Sequence, residues 1–335
     1  MESSNQKHGT APLKAAVCIV AALAFVFAAV LSTGCAETPE KGEKLSVVTT
    51  IFPIYDWVKQ IVGGDADNAE ITMLLDNGVD LHNYLPTADD IVKISSADIF
   101  IYVGGESDSW VNDVLKSAVN KDVEVINLLD VLGDAVKEEE LAEGMTEEED
   151  EEEGDGPEYD EHVWLSLRNA AVLCRYISEK LCEADPDNAD SYRENVSGYT
   201  AKLNALDEEY KAAVEAAPVK TLVFGDRFPF RYLTDDYDLT YYAAFAGCSA
   251  ETEASFKTIV FLAGKVDEYG LHAVVKIEGS DGTIARTVRD NTKAKDMSIL
   301  TFDSMQSKTI SDAESGVTYL SVMENNLSVL KEALK

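Results

Sequence analysis

Histidine is scarce in this 335-residue chain, with four residues, and cysteine nearly so, with five, while acidic residues outnumber basic ones by 62 to 28. The formal net charge of −34 argues against nucleic acid or an anionic surface as a partner, and favours cations instead. No CxxC pair occurs, which speaks against a zinc site built from thiolates. Neither HExxH nor GxSxG occurs, so the usual zinc-peptidase helix and the hydrolase nucleophile elbow are both missing and no enzyme is expected.

Long apolar runs are equally rare. The one that stands out covers residues 15–31, follows Lys7 and Lys14, and leads into Leu31-Ser32-Thr33-Gly34-Cys35. A basic start, an apolar run somewhat short of the ~20 residues of a spanning helix, and small residues before a cysteine describe a secretory leader with a lipoprotein cleavage box. Residues 1–34 are therefore expected to be removed, Cys35 to carry lipid, and residues 35–44 to tether the protein to the outer face of a cell membrane. Of the other cysteines, Cys174 and Cys182 fall eight residues apart on one expected helix. That is about 12 Å along the axis, too far for a disulfide between them. Buried free thiols are expected, with a bond from either to Cys248 as the alternative.

What is abundant is alternation. The β-branched run Ser46-Val47-Val48-Thr49-Thr50-Ile51-Phe52 ends at Pro53, after which Ile54, Trp57, Val58 and Ile61 recur at helical spacing. Further strands are expected over residues 70–75, 99–103 and 123–128, with helices over 87–96 and 110–118 between them. Short apolar strands alternating with amphipathic helices imply an α/β fold with parallel sheets covered on both faces. Residues 169–181 read as a helix, broken by Asp185-Pro186-Asp187-Asn188, and a 28-residue pattern then carries Tyr192, Val196, Tyr199, Leu203, Leu206, Tyr210 and Val214 on one face. At 1.5 Å per residue this helix spans roughly 40 Å, enough to act as a stiff strut between two domains. The alternation then resumes, with strands over 221–224, 240–244, 273–277 and 298–302 and helices over 229–234, 256–269, 284–292 and 317–334. Residues 45–188, the linking helix 189–217 and residues 218–335 are the expected divisions. In residues 138–161, fifteen of twenty-four are Asp or Glu, a density that cannot form a core and reads as a solvated loop or a weak collector of cations.

With His8 in the leader, three histidines remain. His82, in Asp80-Leu81-His82-Asn83-Tyr84-Leu85-Pro86, and His162, in Asp160-Glu161-His162-Val163-Trp164-Leu165, sit in acidic turns with aromatic flanks. His272, entering a strand beside Ala273 and Val274, reads as structural. Neutral imidazole is the commonest transition-metal ligand, and carboxylates complete such sites where thiolates are absent. Asp226 follows the expected strand 221–224 and Asp303 follows 298–302. Ligands in parallel-sheet proteins gather beyond the carboxyl ends of strands. His82, His162, Asp226 and Asp303 therefore form the candidate metal set, with Glu278 as the rival fourth ligand. Asp226 and Asp303 can each be read as helix N-caps instead.

Thr49-Thr50-Ile51-Phe52-Pro53-Ile54-Tyr55-Asp56, the two histidine segments, Asp98-Ile99-Phe100-Ile101-Tyr102-Val103-Gly104 and the break at residues 185–188 together resemble the zinc and manganese substrate-binding lipoproteins of bacterial ABC importers, from about Leu45 to the C-terminus. The resemblance implies two lobes, each with a four-stranded parallel sheet, joined by one rigid helix and holding a metal between them on His82, His162, Asp226 and Asp303. It implies a monomer that captures a divalent ion and delivers it to a membrane permease and its ATPase. The charged loop before His162 resembles the zinc branch, so zinc is the expected ion. Manganese, or a surface adhesin that holds metal structurally, is the alternative.

Overall fold

The computed structural model describes residues 44–63, 68–145, 158–249 and 253–335. The leader, Cys35, most of the tether and residues 146–157 of the acidic segment lie outside the described residues. Among the described residues no helix is long and apolar enough to cross a membrane.

The first sheet is built from β1 (Leu45–Thr49), β2 (Ala69–Met73), β3 (Ile99–Tyr102) and β4 (Glu124–Asn127) in the order β2-β1-β3-β4. All pairs are parallel, with Val47 opposite both Ile71 and Ile99. The second sheet, from β5 (Thr221–Phe228), β6 (Thr240–Ala246), β7 (Ala273–Ile277) and β8 (Ser298–Phe302), repeats that order as β6-β5-β7-β8, again all parallel. Strands covered on both faces read as unbroken apolar runs, as β3 does with Ile99, Phe100 and Ile101 fully buried.

Helices α1 (Phe52–Val62), α2 (Ala88–Ser96), α3 (Val111–Ser117) and α4 (Leu128–Leu132) belong to the first sheet. Thr87 starts α2 through a capping box with Asp90, satisfying amides that the first helical turn leaves unpaired. After α5 (Leu167–Ala184) comes α6 (Ala189–Ala216), the 28-residue helix between the sheets. The second half carries α7 (Arg231–Asp236), α8 (Phe256–Tyr269), α9 (Thr283–Asp290), α10 (Ile310–Glu314) and α11 (Tyr319–Ala333), of which α8, α9 and α11 pack on the second sheet.

α6 is more than a spacer. Its buried face, from Tyr192 to Val214, belongs to a core that also contains Trp57 and Trp164 of the first lobe and Phe224, Phe302 and Tyr319 of the second. Asn195 donates to the Ile61 carbonyl of α1, and Tyr210 donates to the Met323 carbonyl of α11. Other bonds join the lobes directly. Trp164 Nε1 donates to the Ser304 carbonyl at 2.9 Å, Tyr319 Oη to the Trp164 carbonyl at 2.6 Å, and the Tyr319 amide to Asp56 at 2.9 Å.

One element departs from expectation in a way that bears on the site. β5 does not stop at Phe224 but runs on to Phe228, with a register shift against β6 between Phe224 and Arg227. Gly225 allows this, because a Cβ there would come within 2.4 Å of the Ala285 Cα on α9. Asp226 is thus inside an irregular strand, neither beyond its end nor at a helix cap. Cys174, Cys182 and Cys248 are all free thiols.

Candidate metal centre

His82 lies in a single 3-10 turn, Leu81–Asn83, whose N-cap Asp80 accepts the His82 amide. His162 opens a second such turn, Val163–Leu165, and its amide is held at 2.9 Å by Asp160. These short acidic turns fix the backbone of each histidine through a carboxylate two residues earlier.

The rings approach edge to edge. Their Nε2 atoms are 3.2 Å apart, and the ring centroids are 5.2 Å apart at 58°. Each Nδ1 faces the opposite way, toward fixed partners. His162 Nδ1 lies 3.0 Å from Asp160 Oδ1; His82 Nδ1 lies 2.8 Å from Ser107 Oγ and 3.5 Å from Glu161 Oε2. A carboxylate can only accept, so Nδ1 of His162 carries the proton and Nε2 is left with its lone pair when the ring is neutral. If His82 Nδ1–H likewise donates to Ser107 Oγ, both Nε2 lone pairs point at the same place, which a shared proton or a cation relieves.

Their proton affinities are split accordingly. Burial, the neighbouring His162 and Arg227 pull His82 down to about 3, against the opposing pull of Asp80. His162 is fully buried, which alone would lower it, yet Asp160, Glu161 and Asp80 outweigh burial and raise it above its ordinary value. A proton taken up by the pair is therefore favoured on His162 over His82. Asp80 is itself pushed up by burial, but His82 and Arg227 more than reverse this.

A third donor joins the pair. Cys248, in the turn after β6, places Sγ so that it and one nitrogen from each of His82 and His162 all lie within 4.8 Å of one another, the one such grouping among the described residues. The turn is moulded onto the imidazole: a Cβ on Gly247 would meet His162 Cε1 at 2.9 Å and the Phe228 carbonyl at 3.0 Å. Glu139, at the base of the acidic segment, accepts the Cys248 amide at 3.4 Å. Burial pushes the Cys248 thiol up, and Glu139, Glu161, Asp160 and Asp80 push it further.

The expected carboxylates are placed differently. Asp226 accepts the amides of Arg227 at 2.9 Å and Ile277 at 3.4 Å. Asp303 accepts the Met305 amide and pairs with Lys308 at 2.6 Å. Glu278 spends both oxygens on the loop after β8, taking Ser304 N, Ser304 Oγ and the Gln306 amide. None of the three enters the donor grouping with the imidazoles. Asp226 and Glu278 instead line a cleft of about 750 Å³, along with Asp80, Asn83, Arg227 and Gln306. Across one end of it Arg227 of β5 donates to Asp80 at 2.7 Å, tying the second lobe to the His82 turn. His272 is exposed, its carbonyl accepting the Ser298 amide.

Cys248, Asp160, Glu161 and Ser107 are the site residues that sequence reasoning missed. The one signal for Cys248 is that it follows the expected strand 240–244 by four residues, which does not separate a ligand from a buried thiol.

Residues 47–333 match the family described as zinc-uptake complex component A, periplasmic. The zinc-binding protein AdcA of Streptococcus pyogenes is 30% identical over 325 residues, 95% of this chain. This chain spans 61% of the length of that relative. The high-affinity zinc uptake system protein ZnuA of Bacillus subtilis is 30% identical over 298 residues, 88% of this chain and 89% of that one. Among solved structures, the Zn(II)-bound ZnuA-like domain of Streptococcus pneumoniae AdcA superimposes with a TM-score of 0.68 at 29% identity, covering 87% of this chain and 99% of that one. With two like-ordered parallel sheets on one long helix and a paired-imidazole centre, this chain belongs to the family of periplasmic zinc-uptake component A proteins.

Proposed function

We propose that this protein is the extracytoplasmic substrate-binding component of an ABC importer, capturing zinc between its lobes and handing it to a membrane permease and its ATPase. It works as a monomer, and no chemistry is done on the ion. Lipid on Cys35 holds it at the outer face of the membrane, a reading supported by the leader sequence and by the naming of the Streptococcus pneumoniae relative as a zinc-binding lipoprotein. The observation that carries the reading is the Nε2 to Nε2 distance of 3.2 Å with both Nδ1 atoms anchored. A tetrahedral zinc with Zn–N near 2.0–2.1 Å places two nitrogens about 3.3–3.4 Å apart, so the rings stand close to the spacing the ion requires. Anchoring of the far nitrogen by Asp160, or by Ser107 and Glu161, is the arrangement that orients a metal-bound imidazole.

Asp226 and Asp303 serve as ligands in this reading only if the cleft tightens far enough to exchange their present amide and lysine partners for the ion. Competitive titration of the metal-free protein with zinc and manganese, on the wild type and on His82→Ala, His162→Ala, Asp226→Ala and Asp303→Ala, tests the assignment. The two histidine variants are expected to lose zinc affinity by more than about 100-fold, beyond the 10- to 100-fold typical of residues that only orient a ligand. Affinity within threefold of wild type in both histidine variants would sink the proposal.

A further inference from the structure

We infer that Cys248 supplies the third protein donor to the ion, and that its sulfur makes the site prefer zinc to manganese. The inference rests on the zinc-capture reading above and deepens it. Three observations carry it. First, Sγ stands with the two imidazole nitrogens inside a 4.8 Å grouping that excludes Asp226, Asp303 and Glu278. For tetrahedral zinc with Zn–S near 2.3 Å and Zn–N near 2.0–2.1 Å, sulfur and nitrogen sit about 3.5–3.6 Å apart. The 4.8 Å bound of the grouping exceeds that spacing by at most about 1.3 Å, within the reach of side-chain adjustment.

Second, the turn that carries Cys248 is fitted to His162 itself. Gly247 lies so close to the ring that any Cβ would collide with Cε1, and Ser249 N closes the turn on the Ala246 carbonyl at 3.5 Å. Third, Glu139 grips the Cys248 amide from the base of the acidic segment, where Glu138 bridges to Tyr159 and Glu140 pairs with Arg231. The segment preceding His162 thus holds the cysteine turn against the imidazole pair.

The chemistry follows from the donor set. When Zn–S forms, the S–H bond breaks and the proton leaves to solvent, so the sulfur binds as thiolate. Two imidazoles and a thiolate suit zinc, whereas manganese favours carboxylate, carbonyl and water oxygens. The β6 turn of the second lobe therefore adds a sulfur donor to the preference for zinc that the two imidazoles of the first lobe already carry.

Cobalt(II) reports the sulfur directly, since a thiolate ligand gives an intense near-ultraviolet charge-transfer band that nitrogen and oxygen donors lack. The full-length protein in detergent, loaded with one equivalent of cobalt, is expected to show this band, and Cys248→Ser to lose it while still binding cobalt through His82 and His162. The ratio of zinc to manganese affinity is expected to fall at least about tenfold in Cys248→Ser. A cobalt complex of the wild type without the band, or an unchanged metal ratio in Cys248→Ser, overturns the role of Cys248 and leaves zinc capture standing. Failure of the wild type to bind zinc or cobalt at all overturns both.

Discussion

Two imidazoles 3.2 Å apart are inequivalent here because their surroundings differ in charge. His82 is depressed to about 3 and stays neutral throughout the physiological range, while His162 is raised above its ordinary value by the carboxylates around it. Metal binding requires neutral imidazole, so with His162 raised the affinity for zinc is expected to fall as pH drops through a value above 6.5. Calorimetric titrations in buffers of different ionisation enthalpy should show proton release on zinc binding, reduced in His162→Ala to what the Cys248 thiol contributes. The stability of the apo protein runs the opposite way over that window. A histidine raised on folding contributes stability fully present below the unfolded value and lost as pH climbs through the folded one, whereas His82, lowered on folding, withdraws stability as pH falls from 6.5 toward 3. Gly247 makes a separate prediction at this scale. In Gly247→Ala the new methyl meets the fully buried His162 ring at 2.9 Å, so the ring or the turn must shift. Zinc affinity is expected to fall about 10- to 100-fold, as for other residues that orient a ligand, with the denaturation midpoint changed far less. Equal affinity in the alanine variant would show that the turn is not fitted to the ring.

Elements were legible in the sequence wherever an apolar run was bounded by clear breakers. β7, β8 and α8 match the residues expected from pattern alone, because each is an apolar-patterned run that lies between glycine or polar turns. β5 was not legible. Gly225-Asp226 reads as a strand end, yet the strand continues because Gly225 lets α9 press onto the backbone and a register shift absorbs the irregularity. That single misreading moved Asp226 from a loop tip into a strand, where its oxygens are taken by neighbouring amides. The histidines were legible because short acidic turns position them locally. Cys248 was not, because a cysteine is equally at home in a core, a disulfide or a metal site, and what decides is how closely its turn approaches His162, whose ring lies 86 positions earlier in the chain. Gly225→Ala tests the strand account. A methyl 2.4 Å from the Ala285 Cα and 2.8 Å from its nitrogen meets backbone that cannot swing aside. Overpacking of this kind costs roughly 1–3 kcal/mol or more, visible as a lower urea midpoint at unchanged slope. An unchanged midpoint would mean that α9 is free to retreat from β5.

At the scale of the whole molecule, the two lobes share one core and several buried hydrogen bonds, so they are expected to unfold together. Trp57, Trp164, Tyr210, Phe224 and Tyr319 belong to one continuous apolar cluster, with α6 packed along it. Domains that meet through a small polar interface move and melt independently. Here the interface is apolar and bolted at Trp164 Nε1 to Ser304, Tyr319 Oη to Trp164 and the Tyr319 amide to Asp56. In the proposed zinc capture, opening is therefore expected to be confined to the turns around the cleft and the Asp80 to Arg227 pair, with the α6 strut fixed. Scanning calorimetry of the apo protein should give a single transition whose calorimetric and van't Hoff enthalpies agree. Tyr319→Phe leaves the buried Trp164 carbonyl without its donor, at a cost of about 1–3 kcal/mol, and should lower the whole transition without splitting it. Zinc at 100 times its dissociation constant adds about 2.7 kcal/mol and should raise the same single peak in both proteins. Two separate peaks, only one of them moved by zinc, would mean that the lobes are independent and that capture proceeds by a hinge through α6.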